Sequence, residues 1–181
     1  VTGLGVPLSA TGLFRRPALL EPATMLQESR FVVVMEAVDN PTNLGAIVRS
    51  AAALGWDGLL LDSTSADPLA RRALRVSMGT GLSLPFARLD PDENLVTALH
   101  RHGFVTCALT PGDAADDIST VETAGAAKIA VLLGSERAGL SADALMSAVH
   151  KVRIPMHSGT DSLNVGAAAA IALQMLGPNA G

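Results

Sequence analysis

The chain has no tyrosine, one tryptophan and four phenylalanines, so aromatic side chains make up only 3% of its 181 residues. Its core must therefore come from Ala, Val, Leu and Ile, within a hydrophobic share of 49%. A single cysteine, Cys107, excludes an internal disulfide and a cysteine-rich zinc site. It sits in the apolar stretch Phe104–Leu109 and reads as a small buried hydrophobe. The histidines, His100, His102, His150 and His157, show no HExxH or related spacing, and no metal is implied. Basic residues are scarce: 13 Lys and Arg against 17 Asp and Glu leave a net charge of −4. Proteins that live on phosphate contacts usually carry a basic surplus, so composition alone points to a soluble metabolic enzyme.

No stretch reaches the roughly 20 apolar residues of a membrane-spanning helix. The Ala-rich run Val165–Leu176 is too short and is interrupted by Gln174. The first residues lack the basic-then-apolar build of a signal peptide, so the cytoplasm is the expected location. There is no GxxxxGK[ST] phosphate loop and no GxSxG nucleophile elbow; Gly3-Leu4-Gly5 and Gly79-Thr80-Gly81 are bare fragments of a dinucleotide fingerprint.

What is present is an alternation of strand-like and helix-like stretches. Residues 1–28, with Gly3, Gly5, Pro7, Gly12, Pro17 and Pro22 and little periodicity, read as an arm or interdomain linker; residues 29–181 read as one domain. Phe31–Val38, Gly58–Leu61, Leu82–Leu89, Phe104–Leu109, Lys128–Leu133 and Val152–Met156 are the expected strands. Helices are expected at Leu44–Leu54, Pro68–Met78, Glu93–His102, Ala142–His150 and Ser162–Leu176, with Asp113–Gly125 an acidic, irregular connection. Such a pattern predicts an α/β fold with a mostly parallel sheet and helices on both faces.

Ligands of open α/β sheets gather beyond the carboxyl ends of the strands. Three junctions there are rich in Asn, Gly, Ser and charge. In Asp39–Arg49, Asn43 is placed to cap a helix, and Gly45 lies one turn before Arg49 on the same face, leaving room above its guanidinium. In Leu133–Ser141, a buried strand ends at Gly134, where backbone amides can approach a ligand, with Glu136 at the crest. In the third, Arg153-Ile154-Pro155-Met156 leads to Asp161-Ser162-Leu163-Asn164-Val165, where Ser162 or Asn164 opens a helix lined with Ala. Each has a bland reading as a capped helix or a solvated turn. Arg71, Arg72 and Arg75, with Arg15 and Arg16, form the basic clusters; they read as a solvated face or as a local phosphate-contacting patch.

In this order and spacing, the junctions resemble the three sequence motifs of the SpoU (TrmH-like) family of the SPOUT superfamily of RNA methyltransferases. Asn43–Arg49 resembles the first, Leu132–Ser141 the second, and Ile154-Pro155-Met156 with Ser162–Val165 the third. Asp67-Pro68-Leu69 and Val76–Thr80 are also similar to bacterial ribosomal-RNA members. The resemblance implies methyl transfer from S-adenosylmethionine to a ribose 2′-hydroxyl of ribosomal or transfer RNA. It further implies a C-terminal trefoil knot, a homodimer, and a cofactor held near Thr110, Leu133, Gly134, Ile154, Met156 and Leu163. Asn43, Arg49, Glu136, Ser162 and Asn164 become the expected catalytic set. Arg137 departs from the family's usual Gly and would be strained if that position required a positive φ. Two other readings remain open on the residues: a catalytically silent RNA-binding module of the same fold, and a doubly wound nucleotide-binding enzyme.

Overall fold

The computed structural model describes residues 15–112, 114–121, 126–157 and 162–178. Seven strands form one sheet: β1 (Phe31–Met35), β2 (Gly58–Leu61), β3 (Phe86–Arg88), β4 (Val105–Leu109), β5 (Asp116–Asp117), β6 (Ile129–Leu133) and β7 (His150–Arg153). Their spatial order is β3-β2-β1-β6-β4-β7-β5, and every pairing is parallel. The helices are α1 (Pro22–Glu28), α2 (Pro41–Ala53), α3 (Arg71–Val76), α4 (Leu95–Arg101), α5 (Ala142–Ser147) and α6 (Val165–Leu176).

The side-chain period of two sends alternate residues of each strand into two cores. Val33 and Met35 of β1, Leu59 and Leu61 of β2, and Val131 and Leu133 of β6 join α2 and α6 on one face. Val32, Val34, Leu60, Ala130 and Leu132 pack with α1, α4 and α5 on the other. Cys107 is fully buried in the first core, and burial pushes its thiol pKa up to about 12, so it stays a neutral hydrophobe.

The single tryptophan carries structural weight that its rarity hides. Its indole N–H donates to the Leu173 carbonyl in the last turn of α6, at 3.1 Å, and its ring meets Phe31 edge to face. At Gly177 a Cβ would lie 2.8 Å from that indole nitrogen and 2.3 Å from the Leu173 carbonyl oxygen. The end of α6 is thereby pinned to the α2–β2 connection, which fixes where its start, Asn164, falls.

Several sequence-based boundaries shift. Residues 22–28 are not arm but α1, whose Met25 and Leu26 are buried in the second core; residues 1–14 lie outside the described residues. The helix expected from Pro68 to Met78 shrinks to α3. At its front, the Asp67 carboxylate takes the Leu69 N–H in a turn; at its end, Met78 and Gly79 stand at φ +55 and +85. Leu82 belongs to a 3-10 turn, and the strand expected from there begins only at Phe86. α5 stops at Ser147 because Ala148 is extended, which releases His150 to pair with Cys107 and start β7 early; β7 ends at Arg153, short of Met156. The acidic connection after β4 contains the short edge strand β5 and a turn at Ile118–Thr120, with residue 113 and residues 122–125 outside the described residues.

Candidate active site

Parallel pairing puts every strand exit on one edge of the sheet. Leu132 is in register with Ala108, and Leu109 with Val152. Gly134, Thr110 and Ile154 therefore leave three adjacent strands within about a residue of one another. The Thr110 N–H donates to the Val152 carbonyl at 2.9 Å, which holds two of these exits together. The main-chain groups of Gly134, Ile154, Met156 and Leu163 make no backbone hydrogen bond among the described residues. Gly134 is buried, where an unspent N–H or C=O is costly, so this edge suits a ligand recognised through backbone groups. Such an edge fits a ligand held by main-chain groups and not a dinucleotide on a GxGxxG loop, which the sequence lacks.

Beside this edge the three junctions meet at one amide. The Asn164 Nδ2 donates to Asn43 Oδ1 at 3.0 Å and to Glu136 Oε1 at 2.7 Å. The Asn164 Oδ1 accepts the Gly166 N–H at 2.9 Å and caps α6. A flipped amide would put its oxygen against an acceptor-only carboxylate and its NH2 against an N–H, so the assignment follows from the partners. Asn43 is buried, 7% exposed, whereas Glu136 and Asn164 are open to solvent. Asn43, Glu136 and Asn164 thus form one hydrogen-bonded group with an exposed mouth.

The other expected residues fall around it. Arg49 lies further along α2, exposed, its guanidinium without a partner among the described residues. Ser162 and Leu163 are exposed just before Asn164, and Ile154 and Met156 are half-buried. Two expectations about α2 need correction. The cap is Asn40, which accepts the Thr42 N–H at 2.9 Å, because Pro41 starts the helix three residues earlier than expected; Asn43 is freed to point into the site. The space above Gly45 is not open either: α3 crosses there, and a Cβ would lie 2.7 Å from the Ala73 carbonyl oxygen. Ser162 likewise is not the cap of α6, since Asn164 is.

Gly134 has a different reason from the one its motif suggests. A Cβ there would lie 2.1 Å from the Gly139 carbonyl carbon and 2.2 Å from the Leu140 nitrogen, so the chain's own return path needs the glycine. The left-handed residue of this loop is Gly139, at φ +69, and Arg137 is not among the positive-φ residues, so its departure from the family carries no backbone strain.

Glu36 escaped the sequence reading. Its carboxylate accepts both the N–H and the hydroxyl of Ser141, at 2.7 and 2.8 Å, while the Ser141 Oγ caps α5 through the Ala144 N–H. An acid directly after a buried strand was the available signal. At the exit of β2, burial works against the Asp62 charge, but hydrogen bonds from Ser65, Thr64 and Ala37 outweigh it and lower the pKa. A cavity of about 350 Å³ over the exits of β1–β3 is lined by Glu36, Asp62, Asp90, Asp92 and Glu93. That much negative charge repels phosphate, so this cavity is not where a nucleic acid enters.

Residues 30–174 match the SpoU rRNA Methylase family. Over 166 residues the chain is 42% identical to an uncharacterized tRNA/rRNA methyltransferase of Mycobacterium tuberculosis, covering 91% of this chain and 57% of that one. The AdoMet-bound rRNA methyltransferase from Sinorhizobium meliloti superposes with a TM-score of 0.78 at 28% identity, over 86% of this chain and 59% of the other. An RNA 2′-O ribose methyltransferase superposes with a TM-score of 0.72 at 27% identity, over 93% and 60%. The parallel sheet with helices on both faces is thus the fold of the SPOUT methyltransferases. The chain belongs to the SpoU rRNA methylase family, and it spans about 57% of the length of the M. tuberculosis relative.

Proposed function

We propose that this chain transfers the methyl group of S-adenosylmethionine to a ribose 2′-hydroxyl of ribosomal or transfer RNA in the cytoplasm. The observation that carries the reading is the Asn164 amide, which joins all three motifs beside strand exits where Gly134 and Ile154 make no backbone hydrogen bond among the described residues. When bound, the cofactor supplies an electrophilic methyl on a sulfonium. Gly134, Thr110, Leu133, Ile154, Met156 and Leu163 are the residues that would hold it, within a C-terminal part threaded as a trefoil knot. The acceptor would be the ribose 2′-hydroxyl, whose proton would pass to solvent as the oxygen takes up that methyl. Asn43, Glu136, Ser162 and Asn164 orient the ribose, and Arg49 holds an RNA phosphate and stabilises charge developing on the oxygen. An arginine stays protonated in proteins, which favours this electrostatic role over that of a base.

The exposed stripe Ala167, Ile171 and Met175 of α6, with Leu163, supports a homodimer with the acceptor site near the interface. Calorimetry with S-adenosylmethionine, combined with light scattering, tests both parts. Saturable heat and a species twice 18.5 kDa are expected. No heat at millimolar cofactor would end the cofactor assignment, and a monomer at micromolar concentration would end the dimer. Binding without transfer to any RNA would favour the silent-module reading.

The Asn164 amide is separable from its capping role. Asn164→Asp keeps the acceptor for the Gly166 N–H but loses both donated bonds and sets a carboxylate against Glu136. Transfer should fall at least tenfold with the fold retained, whereas Asn164→Ala should cost about 1 kcal/mol more in urea unfolding through the lost cap. Unchanged turnover in the aspartate variant would remove the amide from the mechanism.

A further inference from the structure

We infer that the exposed face of α3, continued by Arg49 on α2, is a phosphate track for the RNA strand flanking the target nucleotide; this rests on the RNA reading above. The net charge of −4 does not spread evenly over the chain. Residues 40–56, which hold α2, and residues 68–89, which hold α3, contain no Asp or Glu. Their arginines are Arg49, Arg71, Arg72 and Arg75, all exposed, and the half-buried Arg88, which donates to the Asp62 and Ala66 carbonyls. The acid at the front of α3, Asp67, is engaged by the Arg16 guanidinium and by the Leu69 N–H. The guanidinium groups of Arg49, Arg71 and Arg75 make no hydrogen bond or ion pair among the described residues.

The two helices form one surface. α3 crosses α2 at Gly45, where a Cβ would lie 2.7 Å from the Ala73 carbonyl oxygen and 2.9 Å from the Val76 Cβ. One turn before that crossing, the Arg72 Nε donates to the Thr42 Oγ1 at 3.0 Å; one turn after it stands Arg49. Thr42 and Arg49 are seven residues apart on the same stripe, about 10 Å along the helix axis. Asn43, whose amide oxygen meets Asn164, is the residue after Thr42, so this surface and the site share the first turn of α2.

A solvated basic face usually interleaves acids one turn away, which stabilise a helix by a few tenths of a kcal/mol per pair. Here Arg71 and Arg75 repel each other at that spacing, in a protein with a surplus of carboxylates that could have paired them. Unpaired cations concentrated beside the site, with the acids gathered over the exits of β1–β3, match a polyanion lying across α3 and α2.

The test uses the full chain and a fluorescein-labelled, mixed-sequence single-stranded RNA, titrated between about 50 and 200 mM salt. Each arginine on phosphate contributes about 0.7 to the slope of log affinity against log salt. The double variant Arg71→Gln/Arg75→Gln should lose about 1.4 from the slope and about an order of magnitude in affinity at low salt. Its heat of S-adenosylmethionine binding should match wild type. A control pair, Arg30→Gln/Arg101→Gln, removes the same charge at the opposite edge of the sheet and should leave most of the slope. Equal losses in the two pairs would mean diffuse attraction and overturn the track. So would an unchanged slope in the α3 variant while wild type binds, which would leave the RNA reading standing. Wild-type protein that takes up no RNA at low salt would overturn both.

Discussion

Arg49→Lys is expected to lower methyl transfer roughly a hundredfold or more, the cost of losing one donor to a developing oxyanion, with cofactor affinity nearly unchanged. The separation follows from position. Arg49 stands on α2, exposed and without a partner among the described residues, whereas the backbone groups assigned to the cofactor leave β6, β4 and β7. Lysine keeps the charge but not the planar fork that can hold a phosphate and a hydroxyl oxygen together. If charge alone mattered, the variant would retain activity. If the side chain acted as a base, lysine would recover activity as pH rises toward about 10, where it gives up its proton. A pH–rate series on the lysine variant, with calorimetry alongside, decides the matter. Recovery at high pH would overturn the electrostatic role, and wild-type turnover at neutral pH would take Arg49 out of the reaction.

The second large effect concerns the loop after β6, which we assign to the cofactor. Gly134→Ala should destabilise the protein by more than about 3 kcal/mol and abolish cofactor binding. The added Cβ would meet the Gly139 carbonyl carbon at 2.1 Å, its oxygen at 2.4 Å and the Leu140 nitrogen at 2.2 Å, all of them backbone with no rotamer to escape into. Relief requires opening the bridge between Ser135 and Gly139 and pulling Ser141 from Glu36, which also loosens the start of α5. Gly139→Ala separates crowding from conformation. Its Cβ would enter open space, so only the φ of +69 opposes it, at about 1–2 kcal/mol. Urea unfolding of the two variants should rank them in that order. A Gly134→Ala variant within 1 kcal/mol of wild type, or weaker in effect than Gly139→Ala, would contradict the close pass of the chain.

Much of the architecture was legible because it depends on periods and runs. The apolar stretch at Gly58 becomes β2 with both ends as expected, and those at Phe31, Phe104 and Lys128 become β1, β4 and β6 with one end moved by one to three residues. Burial on both faces demands a continuous apolar run, and such a run is visible without neighbours. The boundaries that moved were set by bonds between distant or turn-forming groups. Asp67 turns the chain before α3, and Cys107 pairs with His150 to begin β7 while the sequence still reads as helix. Residues 22–28 read as arm in the sequence because a short helix with two buried residues shows no amphipathic repeat.

The site divides in the same way. Three junctions in a fixed order were enough to identify the family, and they single out Asn43, Glu136 and Asn164, which the structure brings into one hydrogen-bonded group. Side-chain type and spacing along one strand or helix are local properties, and the sequence by itself determines them. It does not determine which groups meet across more than a hundred residues. Only the tertiary structure decided that the Asn164 amide bridges Asn43 and Glu136, that Asn40 rather than Asn43 caps α2, and that α3 fills the gap at Gly45. Gly134 shows the difference most sharply. The sequence required a glycine there for a ligand's approach, but the structure requires it for the chain's own backbone, because close packing between segments is set by the path of the whole fold.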